Sequence, residues 1–345
     1  MARVGFCLDP VFLEHDAGPG HPERPERLAA VERGLREAGL AKALVPFAAR
    51  AATREELLRV HTAAHVDRLA AAAGRRVRLD PDTAMSPRSH EAAVRAAGAT
   101  IAAVEQVLDG RLDRAFCAVR PPGHHATPGR AMGFCLLNNV ALGAAAALAR
   151  GVKRVAVIDI DVHHGNGTQE AFWTDPRVLF VSSHQFPFYP GTGDLDEVGE
   201  GEGRGFTVNL PMPAGTGDGD YRRAYREIVE PIGRAFDPEL VLVSAGFDPH
   251  RDDPLGGMAV TPAGFAELMD VCLAVASGAA RGRVVAVLEG GYDLDGIATS
   301  TAAVVGRMLG RPLSALDAAA RPGFERLLAA YRSAHGPHWP AVRRP

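Results

Sequence analysis

The sequence lacks the features that mark several broad classes of protein. Its four cysteines, Cys7, Cys117, Cys135 and Cys272, lie far apart and form no C-x-x-C pair, so neither a disulfide framework nor a zinc knuckle is expected. No run of about 18 apolar residues is available to span a membrane. The segment MARVGFCLDP has no basic region followed by an apolar one, as a secretory signal would. We therefore expect a cytoplasmic protein with no membrane partner.

The sequence also has a small net charge, no long run of like charges and no low-complexity segment. The formal net charge is −3, with 38 Lys and Arg against 41 Asp and Glu. Because no run of about five like charges occurs, the chain offers no basic surface for direct binding of nucleic acid. No linker rich in Pro, Gly or Ser and no internal repeat interrupts the chain, so we predict a single domain over residues 1–345. A homo-oligomer is compatible with this sequence.

What is present is an alternation of short, apolar, β-branched runs with longer Ala- and Leu-rich helical patterns. The helical patterns cover residues 87–108, 221–236 and 262–279. The strand-like runs are apolar almost throughout, as expected of strands buried on both faces in a parallel sheet between helices. The fold class is therefore predicted to be α/β. The predicted strands span residues 3–8, 114–119, 154–160, 177–183, 205–210, 239–245 and 283–289.

The unusual polar residues follow these strands. In an open parallel sheet, ligands bind in the crevice beyond the carboxyl ends of the strands. Several strands that deliver polar side chains to the same edge therefore predict a functional site. The residues that follow five of the predicted strands are His124 and His125, Asp161 and His163, His184, Asp248, and Tyr292.

The stretch VAVIDIDVHHGNGT points to a metal. Asp159, Asp161 and His163 are two residues apart, so on an extended chain they share one face. Buried carboxylates side by side repel each other unless a cation compensates them. Asp161 and His163, with Asp248 as the third ligand, are expected to hold Zn²⁺, with Fe²⁺, Co²⁺ or Mn²⁺ as alternatives. A simple hydrogen-bonded pair of Asp161 and His163 is the other interpretation, but it leaves Asp159 and Asp248 unexplained.

The adjacent histidines His124 and His125 follow the rigid segment Pro121–Gly123. An imidazole exchanges protons near neutral pH. One of the two could therefore take a proton from a water activated by the cation and pass it to a departing amine. Asp159 is the natural orienting acid for one imidazole, and Asn166 is a candidate to orient the other.

These residues belong to a set of motifs that resembles the zinc-dependent histone deacetylase family, which includes acetylpolyamine amidohydrolases and acetoin-utilisation proteins. HPERPERL (21–28) and Asn166 are similar to the class II, bacterial deacetylase-like branch. The resemblance covers roughly residues 3–310, before a C-terminal tail at about 311–345 that is helical at first. It implies the arginase/deacetylase fold, a single α/β domain with a mostly parallel eight-stranded sheet. The motifs are RPPGHHA, GFCLLNNVA, DIDVHHGNGTQ, PGTGD, SAGFDPHRDDPLGG and EGGYDL.

The resemblance implies a catalytic role for each residue. The ligand triad resembles one that binds a single zinc ion per chain, and His125 resembles the general base and acid. His124 resembles the imidazole that acts as the electrostatic partner of this base, and Asp159 resembles the residue that holds that imidazole. Asn166 stands where class I members carry an aspartate; an amide still fixes the tautomer of His125 but raises its basicity less. Tyr292 resembles the phenol that hydrogen-bonds the substrate carbonyl and then its oxyanion.

The resemblance also implies a channel and a second ion. Gly133 and Phe134 on one side, and Tyr189 on the other, resemble the walls that hold the lysyl methylenes; loop packing is the alternative for Tyr189. Arg27 either lines a cavity beneath the metal or is an exposed charge on a helix face. The implied site of a structural K⁺ ion consists of residues Asp159, Asp161, His163, Ser182 and Ser183.

The implied activity is removal of acetyl or other short acyl groups from lysine side chains of proteins or peptides. Acetylated polyamines and other small N-acetylamines are the alternative substrates. Glu14 and Asp16 either attract a cationic substrate or are ordinary solvated acids. The chain shows no large insertion of the kind that narrows the entrance of acetylpolyamine enzymes, which favours peptidyl or broad-specificity deacetylation.

Two further interpretations are disfavoured by the residues present. An arginase-like enzyme with two manganese ions needs more bridging aspartates than this chain offers. A non-catalytic acetyl-lysine binding protein would have lost a metal ligand, His125 or Tyr292, and all of these are present.

Overall fold

A computed structural model of the chain describes residues 2–312, 316 and 318–343. Its strands are short, as expected for an α/β protein. In the described part of the chain they are β1 (Val4–Cys7), β2 (Leu44–Pro46), β3 (Val77–Arg78), β4 (Ala84–Met85), β5 (Arg114–Cys117), β6 (Val155–Asp159), β7 (Val178–Gln185), β8 (Thr207–Met212), β9 (Leu240–Ala245) and β10 (Val284–Leu288).

Eight of these strands form one sheet in the order β2-β1-β5-β10-β9-β6-β7-β8, and every neighbouring pair is parallel. The central strands β10, β9 and β6 are buried along their whole length. Helices on both faces explain why these strands are apolar at nearly every position. β3 and β4 pair separately as an antiparallel ribbon. The prediction of an α/β fold with an eight-stranded, mostly parallel sheet is confirmed.

The helices form two packed groups. α4 packs against α5, and both contact the sheet, whereas α1, α10 and α9 pack in series. A π-helical turn at Tyr225–Val229 joins α7 to α8. No helix in the described residues is both long and apolar enough to cross a bilayer. The α-helices are α1 (Glu26–Glu37), α2 (Arg54–Leu57), α3 (Ala63–Ala71), α4 (Ser89–Leu108), α5 (Asn139–Ala149), α6 (Asn166–Phe172), α7 (Asp218–Ala224), α8 (Glu230–Phe236), α9 (Pro262–Val275), α10 (Leu294–Met308) and α11 (Phe324–His335).

The predicted C-terminal tail falls partly on described residues. Its helix α11 begins at Phe324, and the Tyr331 hydroxyl donates a hydrogen bond to the carbonyl of Pro211 at 2.9 Å. Tyr331 is fully buried, so this helix packs onto the domain at the end of β8. Residues 313–315, 317 and 344–345 of the predicted tail lie outside the described residues.

A buried ion network fixes the segment before α1 to the edge of the sheet that carries the polar residues. The carboxylate of Glu23 lies 3.0 Å from Arg27 Nη1, 2.7 Å from Arg120 Nη2 and 3.2 Å from His15 Nε2. Burial would raise the pKa of Glu23, but the charge of Arg120 and the contact with His15 hold it well below its usual range. Since Arg120 follows β5, the network ties the first helix to the start of the RPPGHH loop.

Replacing Glu23 with glutamine is expected to lower the free energy of unfolding by about 3–5 kcal/mol, because two buried guanidinium groups lose their counter-ion. Urea unfolding followed by circular dichroism measures this change. Asp67→Asn is the matched control: it breaks an exposed pair with Arg54 (2.9 Å) and should change stability by about 1 kcal/mol or less. Equal destabilisation by the two variants would contradict the assignment of the network as a structural element.

Candidate active site

Three predicted ligands converge at the carboxyl ends of two neighbouring strands. Asp161 and His163 follow β6, and Asp248 follows β9, which pairs with β6. The Nδ1 atom of His163 lies 3.1 Å from Asp161 Oδ1 and 3.2 Å from Asp248 Oδ2. One ligand atom from each residue falls within 4.8 Å of the others. Atoms that bind the same metal ion lie a few ångströms from one another, so the separations of these three ligand atoms are compatible with one shared ion.

The electrostatics of this triad favour a cation. Burial, together with the charge of Asp161, raises the pKa of Asp248 to about 7. Burial would lower the pKa of His163, but its contacts with Asp161 and Asp248 raise it to about 10. Asp248 Oδ2 is also fully buried, and although it lies 3.2 Å from His163 Nδ1, no described residue makes a well-directed hydrogen bond to it. A divalent cation would offset the repulsion between the carboxylates of Asp161 and Asp248 and would give Asp248 Oδ2 a partner. The three residues therefore fit the metal site predicted from the sequence.

The paired histidines lie beside the triad with their ring centroids 4.0 Å apart. His124 Nδ1 is 2.9 Å from Asp159 Oδ2, and His125 Nδ1 is 2.8 Å from Asn166 Oδ1. Both orienting contacts are therefore present as predicted. An Nδ1–H that donates to Asn166 leaves Nε2 of His125 as the atom that can accept a proton.

The two imidazoles differ in charge because their surroundings differ. Burial would lower the pKa of His124, but the charges of Asp159 and Asp161 raise it well above its usual value. Burial lowers the pKa of His125, and the neighbouring charges of His124 and His163 lower it further. The surroundings thus favour the charged form of His124 and the neutral form of His125, an arrangement suited to acid–base chemistry.

A channel leads to these groups from the surface. The cavity has a volume of about 420 Å³ and includes all three predicted wall residues, Gly133, Phe134 and Tyr189. Gly133 has φ +55°, and a Cβ atom there would lie 2.4 Å from His125 Cδ2, so a side chain at this position would collide with the imidazole. The remaining lining residues are Asp82, His125, His163, Gln185, Phe188, Pro254, Leu255, Gly256, Gly257 and Tyr292.

Phe188 is a channel wall that the sequence analysis missed. Its ring stacks on the His163 imidazole, with centroids 5.4 Å apart and planes 13° apart. Tyr189 instead meets His125 edge to face at 5.1 Å. Both residues therefore contact the site, and the aromatic cluster QFPFY after β7 was the available signal.

Tyr292 follows β10 and lines the channel close to the triad. Its ring meets Phe134 edge to face at 5.9 Å and lies 5.0 Å from the Arg27 guanidinium. Arg27 is fully buried and donates to the carbonyl of Gly291 at 2.6 Å and to that of Glu289. The interpretation of Arg27 as an exposed helix-face charge is therefore wrong.

The predicted potassium residues lie together at the ends of β6 and β7. Asp159 pairs with Ser182 across the two strands, and the Ser183 hydroxyl is 3.5 Å from the Asp159 carbonyl. Ser182 Oγ is also 2.9 Å from His184 Nδ1. All of these groups are fully buried, so this part of the sheet edge is rich in oxygen atoms that are shielded from water.

Residues 21–308 match the family model described as the histone deacetylase domain. The chain belongs to the histone deacetylase family. It is 42% identical over 319 residues to a probable deacetylase of Archaeoglobus fulgidus, covering 91% of this chain and 88% of that relative. It is 43% identical over 313 residues to histone deacetylase 15 of Arabidopsis thaliana, covering 88% and 55%. The crystal structure of the HDA15 HD domain aligns with a TM-score of 0.92 and 39% identity over 99% of this chain and 96% of that one.

The family membership predicted from the motifs is thus confirmed. This family member spans about half the length of its plant relatives, 48% of histone deacetylase 5 and 55% of histone deacetylase 15 of Arabidopsis thaliana. The match covers the histone deacetylase domain, and the triad, the paired histidines and Tyr292 all lie inside it.

Glu289 is a further site residue of this family member that the sequence analysis missed. Its buried carboxylate accepts hydrogen bonds from the backbone N–H groups of Gly123 (2.6 Å) and His124 (3.1 Å). Burial raises the pKa of this carboxyl to about 7. Glu289 therefore holds the backbone of the histidine pair from the end of β10. A charged residue that ends the apolar run RVVAVLE was the available signal.

Proposed function

We propose that this protein hydrolyses acetyl or other short acyl groups from lysine side chains of peptides and proteins. The observation that carries this proposal is the meeting of the ligand triad, a neutral His125 and the Tyr292 phenol around one end of a narrow channel. Relatives named histone deacetylases, such as histone deacetylase 5 of Arabidopsis thaliana, support the same reaction class.

A divalent cation held by Asp161, His163 and Asp248, for which we propose Zn²⁺ with Fe²⁺ or Co²⁺ as alternatives, would lower the pKa of a water molecule and polarise the acyl carbonyl. The Nε2 atom of His125 accepts a proton from the attacking water. Charged His124 stabilises the negative charge that develops nearby. The aromatic rings on either side of the channel hold the lysyl methylenes and exclude water.

Tyr292 donates its phenolic hydrogen to the carbonyl oxygen as that oxygen becomes negative. The C–N bond then breaks as His125 returns the proton to the departing amine, which leaves as lysine while acetate is released. One amide and one water are consumed, and His125 ends neutral, as it began. The protein therefore needs a base that is neutral before the reaction, which is the state that the buried site imposes on His125.

Two further features complete the proposal. A structural K⁺ ion near Asp159 and Ser183 is supported by the buried oxygen-rich edge of β6 and β7, since oxygen ligands suit hard cations. A reducing, cytoplasmic location is supported by the four cysteines, which are all free and buried.

The structure also bears on the two acids of the first loop, neither of which lines the channel. Glu14 lies 2.7 Å from Arg88 and Asp16 lies 2.6 Å from Arg76, so both acids of the first loop are paired with arginines. Paired acids attract a cationic amine less strongly than free ones. The acids of the first loop therefore give no support to a polyamine substrate.

The substrate class is tested by comparing kcat/KM on an acetyl-lysine peptide and on N-acetylputrescine. We expect the peptide to be preferred by about tenfold or more, which corresponds to about 1.4 kcal/mol of differential transition-state binding. The N-acetyl group is common to both substrates, so the ratio reports on the channel and its rim. A strong preference for the acetylated diamine would instead establish the alternative, acetylpolyamine deacetylation.

A further inference from the structure

One carboxylate joins two loops that meet beside the channel. Asp253 is 6% exposed and lies in the loop after β9. Its Oδ2 accepts the N–H groups of Tyr292 at 2.6 Å and Asp293 at 3.1 Å, both in the loop after β10. Its Oδ1 accepts the N–H of Leu255 at 2.9 Å. Since Leu255 and Tyr292 both line the channel, a single side chain fixes two of its walls to each other.

Tyr292 needs this support because of the residues that precede it. Gly290 and Gly291 form a two-glycine joint before it, and Gly291 has φ +112°, a conformation that residues with a side chain rarely adopt. Since glycine restricts its own backbone less than other residues do, we expect contacts with the rest of the fold to hold the direction of the phenol. Arg27 holds this joint by donating a hydrogen bond to the carbonyl of Gly291. Asp253 holds the next residue by accepting a hydrogen bond from the N–H group of Tyr292.

We propose that Asp253 is a positioning residue for Tyr292. The carboxylate of Asp253 holds the tyrosine backbone so that the phenol points at the reacting carbonyl. The inference rests on the proposed deacetylase function. It deepens that function by naming a residue that positions the Tyr292 phenol, the hydrogen-bond donor to the developing oxyanion. A misplacement of about 1 Å in a catalytic group can cost about 10²-fold in rate. Asp253 acts through the backbone of Tyr292, so removing it should lower kcat more than it changes KM.

A double-mutant cycle separates this role from a purely structural one. Asp253→Ala, Tyr292→Phe and the double variant are assayed with an acetyl-lysine peptide, after the wild type has been shown to be active. We expect Asp253→Ala to lower kcat by about 10- to 100-fold in the wild-type background. In the Tyr292→Phe background, where no phenol is left to position, the same change should cost about threefold or less, because coupled residues are not additive.

Asp253→Asn provides the conservative rescue. Its amide oxygen can turn to the N–H groups of Tyr292 and Asp293, at the expense of the bond to Leu255, so most of the activity should return. Asp252→Ala is the matched control, because Asp252 is the neighbouring carboxylate and its side chain is 67% exposed. Circular dichroism and thermal unfolding establish that each variant is folded, and Asp253→Ser replaces the alanine variant in the cycle if the latter does not fold.

The inference is overturned if removal of the Asp253 carboxylate costs the same factor with and without the Tyr292 hydroxyl, or if Asp253→Asn is as slow as Asp253→Ala. An inactive wild type would instead count against the proposed function. The two failures are therefore distinguishable.

Discussion

His125→Ala is expected to lower kcat/KM on an acetyl-lysine peptide by about 10²- to 10⁴-fold, the range typical for loss of a general acid–base residue. The imidazole is neutral, is oriented by Asn166 at 2.8 Å and faces the channel, so it is the group placed to move the proton. No other described side chain that lines the channel combines a neutral imidazole with an oriented tautomer. Steady-state kinetics at constant metal loading measure the effect.

Two comparisons show that the loss is specific to His125. His90→Ala removes a half-buried imidazole from α4 and should leave kcat/KM within about twofold of the wild type, as surface changes away from a site usually do. Added imidazole should partly restore the His125→Ala variant, because truncation leaves space beside the channel. If His125→Ala deacetylated the peptide as fast as the wild type, the assigned roles of the paired histidines would be wrong.

Asp248→Asn is expected to abolish tight metal binding and to lower activity by more than about 10²-fold, since even residues that only orient metal ligands commonly contribute 10- to 100-fold. Asparagine keeps the hydrogen bond that Asp248 Oδ1 accepts from the Val162 N–H at 2.8 Å. It removes the charge that faces His163 and replaces the oxygen there with an amide NH2 group, which cannot bind a cation.

Elemental analysis and thermal unfolding with and without added Zn²⁺ check this prediction. The wild type should hold one divalent metal ion per chain and gain stability on addition of that metal, because a ligand that binds only the folded state stabilises it. Asp248→Asn should show neither effect, whereas the exposed control Asp252→Asn should behave as the wild type. Two divalent ions per chain would favour the arginase-like alternative, and an unchanged content of divalent metal in Asp248→Asn would refute the ligand assignment.

The sequence was informative where one local pattern carries the signal. Two-residue alternation placed Asp159, Asp161 and His163 on one face of a strand end, and the structure shows Asp161 and His163 beside Asp248, as expected. The apolar runs identified seven strands of the main sheet. The eighth, β2, was not found from the pattern because it has only three residues, ends in proline and lies at the edge, with Val45 41% exposed.

Contacts between distant segments could not be derived in this way. Glu23 and Arg120 are separated by 97 residues, and Asp253 and Tyr292 by 39. Glu23, Arg120 and Asp253, each taken alone, read as ordinary loop charges. Their burial, and hence the strength of their interactions, depends on which strands become neighbours in the sheet.

The sequence by itself determined the family, the α/β class and the chemical identity of the groups at the strand ends, because these depend on residue type and short-range spacing. The tertiary structure alone decided that Phe188 joins the channel wall, that Glu289 holds the backbone of the paired histidines and that Asp253 holds the backbone of Tyr292. Those properties arise from burial and from charges a few ångströms away, and a parallel sheet brings such charges together from remote parts of the chain.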